Sequence, residues 1–126
     1  MASAYTLDTN IMILHLKEEG SVVAFLTSLI DANAELNLST ITLAELLAFP
    51  SLTPEAEQAI FSAAGGMTIV PVDQAVAIEA GTLRRTHHLR LGDSIIAATA
   101  RMTGGTLVTR DNHFDVLASV LKVEKI

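Results

Sequence analysis

Ala4-Tyr5-Thr6-Leu7-Asp8-Thr9-Asn10 is the stretch on which the fold of this chain turns. Tyr5 and Leu7 lead into an acid, and Asn10-Ile11-Met12-Ile13-Leu14 then reads as the start of a helix. A strand that delivers a carboxylate where a helix begins is a common way to build a site. In open α/β sheets, ligands sit beyond the carboxyl ends of the strands. The other segments must show whether further carboxylates can converge on Asp8.

Working outward, 10–17 is predicted as a short helix, broken at Glu19-Gly20. Ser21 is expected to cap a second helix whose apolar face is Val22, Val23, Leu26, Leu29 and Ile30. Glu35-Leu36-Asn37-Leu38-Ser39 alternates polar and apolar, the period of a strand. Ser39 or Thr40 then caps a helix that stops before Phe49-Pro50. Thr53-Pro54-Glu55 is a helix start with a cap, a proline in the first turn and acids near the positive end of the dipole. That helix ends at Gly65-Gly66.

Met67-Thr68-Ile69-Val70 is a short β-type run, and Asp73 caps the helix that ends near His87-His88. Leu91-Gly92-Asp93 opens an alanine-rich helix broken by Gly104-Gly105. Thr106-Leu107-Val108-Thr109 is a strand, 114–121 a short helix, and Val123 the start of an edge strand. Strands alternating with helices across short loops predict a parallel sheet covered on both faces, so the expectation is a three-layer α/β/α fold.

With 126 residues, the chain is read as a single domain over 1–126 with one buried core. Half the residues are hydrophobic and 17% are charged, which argues against disorder. No apolar run approaches the ~20 residues needed to cross a bilayer, and the first residues lack a secretory-signal pattern. The absence of cysteine excludes a disulfide framework, a thiolate metal site and a cysteine nucleophile. A cytoplasmic location fits these features. The net charge of −6 argues on its face against a polyanionic partner. Yet five of the eight basic residues, Arg84, Arg85, Arg90, Arg101 and Arg110, fall within one short span. Local potential steers a polyanion more than net charge does.

Asp8, Glu45, Asp93 and Asp111 sit where an α/β fold would bring side chains to one rim. Singly, each has a plain structural account. Asp8 and Asp93 can cap helices and Asp111 can belong to a turn. Glu45 differs, because Leu43, Ala44, Leu46 and Leu47 surround it in sequence. A carboxylate among apolar residues is expected to have a partner, since burying an unpaired charge is costly. Two like charges about 4 Å apart repel by about 4 kcal/mol at an effective dielectric of 20, so a cluster needs protons or cations. All-oxygen ligation suits Mg²⁺ or Mn²⁺, and such an ion supports phosphodiester hydrolysis.

The chain resembles PIN-domain ribonucleases, specifically the VapC toxins of toxin–antitoxin pairs. The resemblance spans nearly the whole chain. It rests on Leu7-Asp8-Thr9-Asn10, Thr42-Leu43-Ala44-Glu45-Leu46, Leu91-Gly92-Asp93-Ser94-Ile95-Ile96-Ala97-Ala98-Thr99-Ala100 and Leu107-Val108-Thr109-Arg110-Asp111-Asn112-His113-Phe114. It implies a Rossmann-like PIN domain with a parallel central sheet of four to five strands. It also implies Mg²⁺ or Mn²⁺ dependence and endonuclease action on RNA leaving 3′-hydroxyl and 5′-phosphate ends. Asp8, Glu45, Asp93 and Asp111 match the family's metal-site and catalytic acids, Asp111 being the more variable fourth, and Asn10 and Thr109 match polar supports of that site. A homodimer and a cognate antitoxin are implied as partners. Many relatives carry an acid immediately before the final aromatic, where this chain has His113.

Arg84, Arg85, Arg90 and Arg110 flank the site in sequence and are candidate RNA-phosphate contacts, each with the alternative of pairing with a nearby acid. His87 and His88 read as helix-end residues, and His15 and His113 as surface or packing residues. A haloacid-dehalogenase-type phosphatase fails for want of a second acid after Asp8 and of any lysine between Lys17 and Lys122. A receiver domain fails for similar reasons. The remaining alternative is a PIN domain that binds RNA or protein without cutting.

Overall fold

The strand over Ala4–Leu7 (β1) lies at the centre of the sheet. The computed structural model describes residues 3–126. Following β1 are α1 (Thr9–Leu16), α2 (Gly20–Asp31), β2 (Glu35–Ser39), α3 (Thr40–Leu47) and α4 (Pro54–Ala64). The second half holds β3 (Thr68–Val70), α5 (Gln74–His87), α6 (Leu91–Met102), β4 (Thr106–Thr109), a 3-10 helix (Asn112–Leu117) and β5 (Val123–Lys125). All pairings are parallel, and the strand order is β3-β2-β1-β4-β5. The order reverses between β1 and β4, and in such sheets that crevice is where ligands bind. Asp8 follows β1 and Asp111 follows β4, so both sit at the rim of the crevice.

Both faces of the sheet are covered. On one, Leu7, Leu36, Leu38 and Val108 pack with Ile11, Met12, Val22, Leu26, Leu46 and Ile60 from α1 to α4. On the other, Leu107 packs with Val76, Ala80, Leu83, Ile96, Ala97, Ala98 and Phe114. The small residues of α6 are fully buried, which brings that helix close to the sheet. Asn37 is 1% exposed because β2 is covered on its polar side as well as its apolar one. Gly105 permits the approach of β4 to β1: a Cβ there would meet the Ala4 carbonyl oxygen at 2.8 Å.

Two local expectations are corrected. Glu19, rather than Ser21, caps α2, its carboxylate accepting from the Ser21 and Val22 amides. It also accepts the Ser21 hydroxyl proton, so Ser21 assists the cap without being it. The segment expected as a helix over 114–121 is the 3-10 helix Asn112–Leu117, capped by Asp111. Elsewhere Ser39, Thr53 and Asp73 cap their helices as expected. His88 ends α5 in a left-handed conformation, φ 58°, its amide donating to the Arg84 carbonyl. Among the described residues, no helix is long and apolar enough to cross a membrane.

Candidate active site

Asp8, Glu45, Asp93 and Asp111 line one cleft of about 420 Å³, together with Thr9, Asn10, Ile13, Phe49, Arg90 and Gly92. Asp8 is buried, and its Oδ2 accepts the Thr109 hydroxyl proton at 2.8 Å. Thr109 Oγ1 in turn accepts the Asp111 amide at 3.0 Å, so one hydroxyl joins the ends of β1 and β4. Burial is the main force raising the Asp8 carboxyl from 3.8 to about 6. The Thr109 bond and the Thr9 amide oppose this rise, while the nearby charges of Asp93 and Asp111 add to it. No cation pairs with Asp8 among the described residues.

The other acids are more open. Glu45 is exposed, contrary to the burial its apolar sequence neighbours suggested. Leu46 of α3 is buried, and the helical turn leaves Glu45 on the outer side. It does have a partner, for its Oε1 accepts the Thr9 hydroxyl proton at 2.6 Å. Asp93, in the first turn of α6, has Arg90 Nε 3.3 Å from its Oδ2. Asp111 accepts the His113 amide on Oδ1 and has His113 Nδ1 3.0 Å from Oδ2. Asn10 is exposed at the cleft and Thr109 is buried beneath it.

Among the described residues, no three acidic or histidine side chains stand close enough together to enclose one ion. The donor chemistry nevertheless fits a hard divalent cation. Mg²⁺ takes one or two carboxylates directly and keeps several waters, so a closed protein cage is not required. A buried carboxylate, resisting ionisation and lacking a positive partner, is where such an ion would be stabilising.

The arginines divide. Arg90 lines the cleft, and its Nη2 lies 3.5 Å from His113 Nδ1. Arg84 donates to the Leu89 carbonyl at 2.7 Å, bracing the turn before α6. Arg85 is exposed on the last turn of α5. Arg110 donates through Nη2 to Glu19 Oε2 and Ser21 Oγ, and through Nε to the Ile126 carbonyl. The Ser21 hydroxyl and amide, then the Val22 amide and Arg110, hold the Glu19 carboxyl down at about 2. That contribution to stability is present above its ordinary value of 4.5 and lost as pH falls towards 2. Arg110→Ala is expected to lower stability by about 1 kcal/mol through loss of the Ile126 bond alone, seen as an earlier urea midpoint. An unchanged midpoint would show that the clamp contributes nothing.

Thr9, which lines the cleft and bonds Glu45, was given no role by the sequence reading. The available signal was its place beside Asp8, with Thr42 one helical turn before Glu45 on the same face of α3.

The family model of the PIN domain matches residues 5–120. Solved structures agree over nearly the whole chain. VapBC2 from Rickettsia felis, bound to a DNA fragment from their promoter, has 22% identity, 98% of each chain covered and a TM-score of 0.83. DNA-bound VapBC from Salmonella typhimurium has 25% identity, 99% of this chain and 98% of that one, and a TM-score of 0.80. VapBC-1 from nontypeable Haemophilus influenzae has 26% identity, 97% of each chain and a TM-score of 0.80. No curated protein matches the chain in sequence. With β1 and β4 delivering Asp8 and Asp111 to one crevice, and a family match covering all but the ends, the chain belongs to the PIN-domain family.

Proposed function

We propose that this chain is a divalent-metal-dependent endoribonuclease acting as the toxin of a toxin–antitoxin pair. The observation that carries the reading is Asp8, a buried carboxylate at the sheet's reversal point with no cation beside it among the described residues and three further acids around the same cleft. Asp8 and Asp93 would hold Mg²⁺ or Mn²⁺, with Glu45 and Asp111 reaching it directly or through water. The bound cation supplies charge stabilisation at the phosphoryl oxygens and makes the attacking water a stronger acid. Thr109 fixes the Asp8 carboxylate, so the site is preorganised. Glu45, exposed to the cleft, is placed to orient a water and take its proton. Arg90, the cation of the cleft lining, would bind an RNA phosphate once released from Asp93. Arg85 is a second candidate, whereas the existing bonds of Arg84 and Arg110 favour structural roles.

An antitoxin partner is supported by the structural relatives, which are VapBC assemblies, a family described as toxin–antitoxin systems. An apolar groove of about 350 Å³, lined by Leu16, Leu46, Leu52 and Ile60, joins the acidic cleft through Ile13 and Phe49. A homodimer, which rests on the resemblance, and a cytoplasmic location, which rests on the composition, belong to the same proposal.

The test is incubation of total RNA with wild type and Asp8→Asn in Mg²⁺, with mapping of the cleaved ends. RNA bound but uncut by the wild type would favour a non-catalytic binding module. Metal should also stabilise the wild type: at a hundred times Kd the gain is about 2.7 kcal/mol, read as a rise in melting temperature. No rise in millimolar Mg²⁺ or Mn²⁺ would count against the metal site.

A further inference from the structure

Glu45 is exposed, yet one of its carboxylate oxygens is held by a hydrogen bond and the other sits where a glycine leaves it room. Oε1 accepts from Thr9 Oγ1 at 2.6 Å, and Thr9 Oγ1 lies 3.1 Å from Thr42 Oγ1. The proton count of these groups fixes the direction of the bonds. An ionised carboxylate only accepts, and a threonine hydroxyl has one proton to give. Thr9 gives that proton to Glu45, so Thr42 must be the donor to Thr9. Thr42 behaves unlike several other threonines in or at the ends of helices. Thr82, Thr86, Thr99 and Thr103 each donate to the carbonyl four residues back. The fully buried Thr42 reaches across to α1 instead.

Gly92 leaves room for the other oxygen. A Cβ at Gly92 would stand 3.3 Å from Glu45 Oε2, tighter than an ordinary contact. The first residue of α1, the middle of α3 and the first turn of α6 therefore meet at one carboxylate.

We infer that Thr9, Thr42 and Gly92 are positioning residues for Glu45: a directed hydroxyl relay from Thr42 through Thr9 orients Oε1, and the missing side chain of Gly92 leaves Oε2 its place in the cleft. The inference rests on the nuclease reading of the site. An exposed glutamate otherwise samples many rotamers, and ordering it in advance removes that cost from the reaction. The buried donor at the start of the relay also polarises the Thr9 hydroxyl and strengthens its bond to the carboxylate.

The decisive variant is Thr9→Val with Thr42→Val, which removes both hydroxyls and leaves no buried orphan. Its cleavage kinetics, its Mn²⁺ affinity by calorimetry without RNA and its thermal unfolding are compared with wild type. Both kcat and Mn²⁺ affinity should fall by about tenfold to a hundredfold, the usual effect of losing support behind a metal ligand, with KM and melting temperature little changed. Thr9→Ser, which keeps the relay, should restore both. Thr9→Val alone breaks the relay at its partly exposed middle and serves if the double variant does not fold. Gly92→Ala should weaken Mn²⁺ binding with the hydroxyls intact, and wild-type affinity there would remove Gly92 from the inference.

A residue that acts through Glu45 loses its effect once Glu45 is changed. Adding the two valines to Glu45→Gln should therefore cost nothing more; a full further loss would overturn the relay. So would wild-type kcat and Mn²⁺ affinity in the double variant while Glu45→Gln is impaired. If the wild type itself cuts no RNA, the nuclease reading fails, and the Mn²⁺ titrations then decide the relay alone.

Discussion

Asp8→Asn is expected to reduce RNA cleavage in Mg²⁺ by at least about a thousandfold, the equivalent of some 4 kcal/mol of transition-state stabilisation. The amide keeps the shape of the carboxylate, and its oxygen can still accept the Thr109 hydroxyl proton now held at 2.8 Å. What is lost is the negative charge at the one site acid that is buried and, among the described residues, has no cation beside it. Asp93→Asn should be smaller in effect, since Asp93 is partly exposed and already shares its charge with Arg90. RNA binding should survive both changes and weaken with added salt, because phosphate contacts release counterions. Cleavage by Asp8→Asn within tenfold of wild type would sink the assignment, whatever the fold resembles.

The order of the strands and helices was legible in the sequence because the inner strands and β3 are short β-type runs bounded by a cap, a proline or a glycine pair. Segments with side-chain caps at Ser39, Thr53 and Asp73 announce their starts locally. At α2 the hydroxyl of Ser21 drew attention, but the helix starts at Gly20 and the Glu19 carboxylate reaches the Ser21 and Val22 amides. The bond from Thr109 to Asp8 spans 101 residues, and no local pattern could reveal it. The rim expected of an α/β fold, and then the family resemblance, grouped the acids before the sheet order was known. Glu45 shows the opposite limitation. Its apolar neighbours in sequence face elsewhere around the helix, so linear context exaggerated its burial. The Arg110 clamp was equally hidden, since Glu19 and Ile126 lie far from it in sequence.

Without metal, Asp8→Asn is expected to make the protein more stable at neutral pH, by about 1–3 kcal/mol. The carboxyl rises from 3.8 to about 6 in the folded state, so the folded chain holds that proton more tightly than the unfolded one. Stability from this group is therefore present in full below about pH 4 and is lost as pH rises to about 6. The asparagine variant carries no such loss. In EDTA its urea midpoint should exceed that of wild type at pH 7.5, and the two should converge near pH 4. Saturating Mg²⁺ should reverse the order at pH 7.5, because only the wild type offers the buried charge that a cation offsets. A wild type more stable than the variant in EDTA at pH 7.5 would mean that Asp8 is already compensated within the chain. The strongest physical argument for a cation at this crevice would then fall.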